Sequence, residues 1–153
     1  MGNIAQTKNL LSAMRTLSTQ QIMLHQAVAD RLNLNLTDYK CMDFIAHFGP
    51  MTAGELAKLS GLTTGAITGA IDRLEKGGYA RRIDNPKDRR SVIIELTWDE
   101  ANRKQYEETF HPLEREMQKM TASYTNKELA LFTELISKEA KLLHEQTIRL
   151  SKK

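Results

Sequence analysis

Apolar residues recur at helical spacing through the first third of the chain. Over residues 9–32 they lie mostly three, four or seven positions apart, a spacing that predicts an amphipathic helix. The stripe consists of Leu10, Met14, Leu17, Leu24, Val28 and Leu32. A second, shorter helix is predicted from Thr37, and its apolar positions are Tyr39, Met42, Ile45 and Phe48. Gly49 and Pro50 end this helix, because proline cannot continue it.

Two closely spaced helices are predicted between residues 52 and 76. Thr52 is followed three residues later by Glu55, the spacing of a capping box, so a short helix is expected to begin there and to end at Gly61. The residues expected to be buried in it are Leu56 and Leu59. The next helix covers residues 64–76 and ends at a pair of glycines. The short, glycine-containing turn between the two is typical of a helix-turn-helix.

Strand-like alternation replaces the helical spacing in residues 79–96. On the second strand the core-facing positions are Val92, Ile94 and Leu96. On the first strand, Tyr79 and Ile83 are expected to pair with them. The pattern therefore predicts a two-stranded hairpin directly after the helix-turn-helix.

Two long helices complete the pattern. The first is predicted from about Asp99 to Thr121, bent where Pro112 interrupts it. Thr125 and Glu128 form a second capping box at the start of the last helix. The apolar positions of that helix include Leu129, Phe132, Leu135, Ile136, Leu142, Leu143 and Ile148. The predicted fold is mainly α with a small β-hairpin wing: a winged helix-turn-helix with additional N- and C-terminal helices.

Positive charge is concentrated at the hairpin. Residues 81–90 contain five cations and two carboxylates, which gives this segment a net charge of +3. The cations are Arg81, Arg82, Lys87, Arg89 and Arg90, and the carboxylates are Asp84 and Asp88. The whole chain also has a formal net charge of +3, so all other residues sum to zero. A cationic hairpin tip favours a polyanionic partner, such as the backbone of a nucleic acid.

Composition narrows the class of protein. The 153 residues suffice for about one domain, and 27% charged with 41% apolar residues are ordinary for a globular chain. The chain contains no run of ~18 apolar residues, so no membrane span is predicted. The N-terminal residues lack the apolar stretch of a signal peptide. The single cysteine, Cys41, precludes an internal disulfide, and we expect a cytoplasmic protein.

The helix at 64–76 has an outer face of small residues. One arc of the helical wheel holds Ile67, Ala70, Ile71 and Leu74, and the opposite arc holds Gly65, Thr68, Gly69 and Asp72. Each exposed helical glycine costs about 1 kcal/mol relative to alanine, which close approach of this face to a duplex groove would offset. Thr63 and Thr64 lie at the helix N-terminus, where backbone N–H groups favour phosphate. Alternatively, the small residues pack against another protein element.

A specific motif joins these elements. The run from Glu55 to Arg82 contains Asp72-Arg-Leu-Glu-Lys and Gly78-Tyr, and Asn85-Pro-Lys-Asp-Arg-Arg follows it. In this order, and over nearly its whole length, the chain resembles the MarR (multiple antibiotic resistance regulator) family. The resemblance implies an obligate homodimer, joined through the first and last two helices, on a pseudo-palindromic operator. It also implies transcriptional control, most often repression, that is relieved by a small ligand or an oxidant.

The local chemistry and the resemblance together give a set of candidate DNA-binding residues. On the helix and its N-terminus these are Thr63, Thr64, Gly65, Ala66, Thr68, Gly69 and Arg73. On the hairpin they are Arg82, Lys87, Asp88, Arg89 and Arg90. An ion pair between Asp88 and Arg90 is expected to hold the loop, and by the resemblance these two match the structural and DNA-contacting pair of the family's wing.

We expect a single domain over residues 1–153. Its DNA-binding lobe is predicted at about 36–97, and its dimerisation helices at about 5–33 and 99–150. The chain has no nucleophile elbow, phosphate-binding loop or paired catalytic carboxylates, so neither enzymatic activity nor a cofactor is expected. The four histidines show no metal-ligand spacing, so no metal site is expected.

The sequence leaves alternatives open for the signal that would release the protein from DNA. A small-molecule pocket is predicted to include His25, Phe44 and Phe48, although packing in a core is the better interpretation of each of them taken alone. The resemblance suggests aromatic or phenolic anions as ligands. Alternatively, Cys41 makes the protein a thiol-based oxidant sensor, against its simpler interpretation as a small buried residue. A winged helix that binds a protein partner instead of DNA is a further alternative.

Overall fold

The computed structural model describes residues 2–97 and 99–151. Its elements are, in order, α1 (Gly2–Arg31), α2 (Leu36–Phe48), β1 (Met51–Thr52), α3 (Ala53–Ser60), α4 (Thr64–Lys76), β2 (Ala80–Asp84), β3 (Val92–Leu96), α5 (Glu100–Thr121) and α6 (Asn126–Ser151). The predicted fold class, mainly α with a small hairpin wing, is confirmed. None of the helices within these ranges is long and apolar enough to cross a membrane.

The chain divides into two compact units, residues 1–40 and 41–153. The sequence predicts a single domain over residues 1–153, and residues 1, 152 and 153 of it lie outside the described residues. The first unit contains α1 and the start of α2. Asn35 caps α2: its side-chain oxygen accepts from the Asp38 N–H, and its amide group donates to the Asp38 carboxylate, both at 2.8 Å. This helix therefore begins one residue before the predicted start at Thr37.

The second unit contains a three-stranded antiparallel sheet in the order β1-β3-β2. Ile94, at the centre of β3, stands opposite Arg82 of β2 on one side and opposite Met51 of β1 on the other. The core on this sheet includes Leu56 of α3, Ile67, Ile71 and Leu74 of α4, and Ile94. The sequence does not predict β1, because a strand of two residues is too short to show alternation. Residues 51–97, from β1 through β3, are called the winged lobe below.

Three sequence predictions for the winged lobe are wrong in detail. Leu59 is 38% exposed, because the short α3 buries only the middle of its apolar face. Val92 is 41% exposed, since it begins β3 next to the solvated wing tip. Ile83 stands opposite Ile93, and not opposite a residue of the inward-facing row, because the register places Arg82 there.

The predicted helix boundaries depend on local signals, and these are present. Thr52 accepts from the Glu55 N–H at 3.2 Å, and its own N–H donates to the Glu55 carboxylate at 2.7 Å. Gly61 ends α3 in the left-handed region (φ 70°), where glycine has no Cβ to clash. The second capping box has the same geometry, with bonds of 3.3 and 2.8 Å between Thr125 and Glu128.

α5 and α6 have no buried residue within the described parts of the chain. Their exposed large apolar side chains are Leu113, Met117, Met120, Leu131, Phe132, Leu135, Ile136, Leu142, Leu143 and Leu150. In the first unit, the predicted stripe of α1 is likewise exposed at Leu10, Leu17 and Leu24, while Val28 and Leu32 are buried. The terminal helices thus have the predicted apolar faces, but much of that surface is uncovered within the single chain.

Candidate nucleic-acid interface

The second helix of the helix-turn-helix is α4, and its two faces differ as the sequence predicts. The Thr63 hydroxyl caps the helix by accepting from the Ala66 N–H at 3.3 Å. The inner face is buried at Ile67, Ala70, Ile71 and Leu74. The outer face is exposed at Thr63, Thr64, Gly65 and Thr68, and half-buried at Ala66 and Gly69. The first turn of a helix has N–H groups without intrahelical acceptors, and here they lie at the exposed end.

The two glycines of the outer face have different surroundings. A Cβ added to Gly65 would have nothing within 4 Å, whereas one added to Gly69 would lie 3.2 Å from Nη1 of Arg73. The arginine side chain therefore lies over Gly69, and the backbone is open at Gly65. Thr68 donates its hydroxyl to the Thr64 carbonyl oxygen at 3.0 Å, and the hydroxyl oxygen can still accept a bond. A bulky partner can approach the helix closely at Gly65.

The wing tip, residues 85–91, is an ordered turn. Asn85 organises it: its carbonyl oxygen accepts from the Asp88 N–H at 3.2 Å, and its side-chain oxygen accepts from the Lys87 N–H at 3.0 Å. The Asn85 amide group donates to the Ser91 hydroxyl at 2.8 Å, which closes the turn. The tip therefore holds its shape through its own hydrogen bonds.

The cations of the wing tip point to solvent. Asp88 accepts from the Arg90 N–H at 3.0 Å, and its carboxylate lies 3.5 Å from Nε of Arg90, which confirms the predicted ion pair. The Arg90 side chain is nevertheless 94% exposed. Lys87 and Arg89 are also exposed. The tip thus presents exposed cations on an ordered backbone, an arrangement that suits phosphate contact.

Arg82 differs from the tip cations because it faces α4. Its Nη2 lies 2.6 Å from Oδ1 of Asp72, its Nη1 bonds to Glu75, and its N–H donates to Oε1 of Glu75 at 2.7 Å. The hydrogen bond that Arg82 donates to the Asp72 carboxylate, more than any other interaction, raises the pKa of Arg82 above its ordinary value. Arg82 is thus engaged with two carboxylates of α4, and the DNA contact that the sequence predicts for it stays a prediction. Arg81 instead pairs within the hairpin, with Nε 2.6 Å from Glu95.

Comparison with known proteins decides the family. The model of the MarR family matches residues 34–92, from just before α2 to the start of β3. The HTH-type transcriptional regulator YcgE of Bacillus subtilis (strain 168) is 41% identical over 144 residues, which cover 94% of this chain and 92% of that protein. The chain belongs to the MarR family.

Solved structures show the MarR fold in related proteins. The transcriptional regulator BldR from Sulfolobus solfataricus is 26% identical, with a TM-score of 0.59 over 90% of this chain and 99% of that chain. A mutant MarR from E. coli complexed with operator DNA is 23% identical, with a TM-score of 0.57 over 87% of this chain and 94% of that chain. This chain therefore has the MarR fold.

The residues predicted for an effector pocket lie in different units of this MarR-family chain. In the first unit, the His25 ring centroid lies 5.6 Å from that of Tyr39. In the second unit, the rings of Phe44 and Phe48 are 6.1 Å apart, and Phe48 is exposed. A pocket that includes all three stays a prediction.

A cavity that the sequence analysis missed lies between α2 and α5. Its volume is about 390 Å³, and its lining consists of Asp43, Ala46, His47, Arg103, Tyr106 and Glu107. Burial, followed by the nearby charge of Asp43, raises the pKa of Tyr106 above its ordinary value. The ring of Phe110 lies 4.4 Å from that of Tyr106. The signal in the sequence was the four-residue spacing of these two aromatic residues on the predicted long helix.

The remaining candidate chemistry concerns Cys41 and metal ligands. Cys41 is fully buried, as its interpretation as a small core residue requires. An oxidant could reach this thiol only after the surrounding core opens, and no observation favours the sensor alternative. Within residues 2–97 and 99–151, no group of three or more His, Cys, Asp or Glu side chains could hold a metal ion.

Proposed function

We propose that this chain is a transcriptional regulator that binds double-stranded operator DNA as a homodimer. α4 would enter the major groove, and the wing tip would contact the adjacent backbone. The observation that carries the proposal is an exposed, small-residue face on α4 followed directly by an ordered cationic tip. The MarR relative that is complexed with operator DNA has the same fold, which supports it. Such a function also implies a cytoplasmic location.

Some residues of α4 would contact the phosphate backbone, and others would contact the bases. Backbone N–H groups at Thr63 and Thr64 suit a phosphate, because the helix dipole adds to their attraction. Thr68 offers a hydroxyl and a methyl group to base edges, the methyl suiting thymine. The small residues that let the backbone approach are Gly65, Ala66 and Gly69. Arg73, further along the helix, would reach a phosphate or a guanine.

The wing residues would provide the salt-sensitive part of the affinity. Lys87, Arg89 and Arg90 would contact phosphates or enter a narrow minor groove. Asp88 would act by orienting Arg90, since its carboxylate is already bonded to that residue. α4 is nearly neutral and the wing is cationic. This difference fits a protein in which the helix contacts the bases and the wing contacts the DNA backbone.

The homodimer is supported by the surface that the single chain leaves uncovered. A monomeric protein of this mass exposes about 7,900 Å², by the scaling of surface with mass. This chain of 17.4 kDa exposes 11522 Å². The apolar faces of α1, α5 and α6 account for much of the exposed apolar surface, and a two-fold interface through them would bury it. Two recognition helices would then meet half-sites about 34–36 Å apart on a pseudo-palindromic operator.

The mode of control that we propose is repression, relieved by a small aromatic ligand. The cavity between α2 and α5 is the candidate site, because Tyr106 in its lining provides aromatic surface and Arg103, which lies 3.6 Å from the carboxylate of Glu107, provides hydrogen-bond donors. A Tyr106→Ala variant should bind the operator normally but lose most of its release by aromatic acids. Fluorescence anisotropy with labelled operator and a panel of such acids measures this, and unaltered release would exclude the cavity.

The DNA-binding proposal is tested with the double variant Arg89→Ala/Arg90→Ala. A duplex selected from a random library serves as the operator, and anisotropy titrations at several salt concentrations give the affinity. The double variant should lose specific binding while remaining a folded dimer by circular dichroism and sedimentation. Lys87→Ala should weaken binding uniformly across sequences and lower the salt slope by about one.

The matched control is Lys119→Ala/Lys127→Ala. It also removes two positive charges, but at the end of α5 and the start of α6. Its affinity for the selected duplex should stay close to that of the wild type. Equal affinity of the wing variant and the wild type would contradict the wing assignment. Absence of salt-dependent binding to any duplex would favour a winged helix that binds a protein partner.

A further inference from the structure

Arg82 connects the recognition helix to the wing. It lies on β2, and its guanidinium group contacts two carboxylates of α4: Nη2 lies 2.6 Å from Oδ1 of Asp72, and Nη1 bonds to Glu75. Its backbone N–H also donates to Oε1 of Glu75 at 2.7 Å. A single residue therefore joins the two elements that would bind DNA.

The chemistry of the guanidinium group suits this link. Its donors form a planar, rigid fork, so it can hold two carboxylates at once in a defined direction, whereas an ammonium group is a single flexible point charge. Because Arg82 stands opposite Ile94 in the sheet register, the contact fixes β3 as well as β2 relative to α4. The wing tip is the turn between these two strands, so its position follows from theirs.

Exposure and charge argue against a phosphate contact by this residue. The Arg82 side chain is 32% exposed, against 64% for Arg81 and 94% for Arg90. Its positive charge is offset by the two carboxylates that it contacts, so the cluster as a whole is negative. A phosphate would gain little at this position, since it would meet Asp72 and Glu75 beside the arginine.

We propose that Arg82 is a positioning residue, which holds the wing at the spacing from α4 at which both elements contact one operator. The inference rests on the proposed function, since it concerns the two elements that would bind DNA. It also assigns Asp72 and Glu75 a role: they lie on the recognition helix as the anchor of the wing and not as contacts to bases.

The test compares Arg82→Ala with Arg81→Ala. The two substitutions remove the same charge from neighbouring positions of β2, but Arg81 pairs with Glu95 inside the hairpin. Arg82→Ala should weaken binding to the selected operator by about tenfold, the loss expected for one charged hydrogen-bonded pair, with the salt slope unchanged. Arg81→Ala should change the affinity much less. A salt slope lowered by about one in Arg82→Ala would overturn the proposal, because it would indicate a direct phosphate contact.

A double-mutant cycle separates the two roles further. In the background Asp72→Asn/Glu75→Gln the anchor is already neutral, so adding Arg82→Ala should cause little further loss of affinity. If Arg82 contacted DNA by itself, its removal would cost as much in this background as in the wild type. Arg82→Lys should fall between wild type and Arg82→Ala, because it keeps the charge but loses the fork.

A measurement without DNA makes the proposal independent of the proposed function. Spin labels at Lys76→Cys on α4 and Lys87→Cys on the wing tip report the distance between the two elements, with Cys41→Ser to avoid a third label. The distance distribution should broaden in Arg82→Ala and stay narrow in Arg81→Ala. Equal distributions would overturn the positioning role, whereas failure of the wild type to bind any duplex would contradict only the proposed function. Thermal unfolding of each variant shows whether the lobe remains folded.

Discussion

α4 and α6 both have apolar residues at three- and four-residue steps, but only α4 buries them. In α4 the four inward residues are at most 1% exposed. In α6 none of the described residues is buried, and Ile136, Leu142 and Leu143 are 57%, 56% and 55% exposed. Helical periodicity therefore predicts that a helix has an apolar face. It does not predict whether that face packs within the same chain or against another chain.

The difference has a thermodynamic consequence. The winged lobe contains its own core, so its packing does not depend on another chain. A face that is covered only by a second copy contributes free energy only when the dimer forms, so its contribution depends on protein concentration. Four predictions test this division, in order of decreasing expected effect.

The largest effect is expected from Leu142→Lys/Leu143→Lys. If these residues lie in a two-fold interface, each charge is placed there twice, and the dimer dissociation constant should rise by at least about a hundredfold. Sedimentation velocity over a range of concentrations measures it. Leu59→Lys is the control, because Leu59 is an exposed leucine of the winged lobe. A double variant that sediments like the wild type would exclude this part of α6 from the interface.

The helices of the fold could be predicted because their signals are local. Thr52 and Glu55 begin α3, Gly61 ends it, and α4 covers the predicted residues 64–76. The start of α2 was predicted one residue late, because the hydrogen bonds between Asn35 and Asp38 that begin it do not show in the apolar spacing.

Much of the candidate site could be predicted from residue type and charge, but not the partner of each charge. The exposed face of α4 and the cationic tip followed from pattern alone. The ion pairs of Arg82 were not predicted, because its carboxylate partners lie seven and ten residues away, across a turn whose geometry the sequence does not specify. The Tyr106 cavity was missed for the same reason, since α2 and α5 are far apart in sequence.

The second prediction concerns Gly61, where the winged lobe touches α6. A Cβ there would lie 3.0 Å from Cγ2 of Thr147, and the φ of 70° is unfavourable for any residue with a side chain. Gly61→Ala should lower the free energy of unfolding by roughly 1–2 kcal/mol from the backbone alone, and further because α6 must move. Urea unfolding measures the loss.

Two further variants separate the causes. Gly49 also has a positive φ (86°), but an added Cβ would have nothing within 4 Å, so Gly49→Ala should show the backbone cost alone. Thr147→Ser keeps the hydroxyl bond to the Leu143 carbonyl oxygen but removes the methyl group, so it should recover part of the loss in Gly61→Ala. Equal costs at Gly61 and Gly49 would mean that the contact with α6 has no energetic weight.

The third prediction separates stability from function at Gly65. This residue lies in the first turn of α4 with open space around it, so Gly65→Ala should raise the free energy of unfolding by roughly 0.5–1 kcal/mol. The added methyl group stands where DNA would approach, so the operator affinity should fall. Parallel urea unfolding and anisotropy titrations measure both. A variant that is more stable and binds as well as the wild type would contradict close approach of the backbone at this position.

The smallest effect concerns the two capping boxes. They have matching geometry, but one begins α3 in the winged lobe and the other begins α6. Hydrogen bonds from Thr52, the backbone N–H first and then the hydroxyl, lower the pKa of Glu55 below its ordinary 4.5. Bonds from Thr125, the hydroxyl first, lower the pKa of Glu128 in the same way. A lowered folded-state pKa stabilises the fold above pH 4.5, and this contribution is lost as the pH falls from there through the folded-state value.

Glu55→Gln and Glu128→Gln should therefore each flatten the fall in stability between about pH 5 and pH 3. If lobe and terminal helices unfold together, the two variants should flatten the same single transition by similar amounts. If the terminal helices separate first as the dimer dissociates, Glu128→Gln should affect only the earlier, concentration-dependent transition. Calorimetry at several pH values and two protein concentrations distinguishes these outcomes, and wild-type pH dependence in both variants would contradict the capping contribution itself.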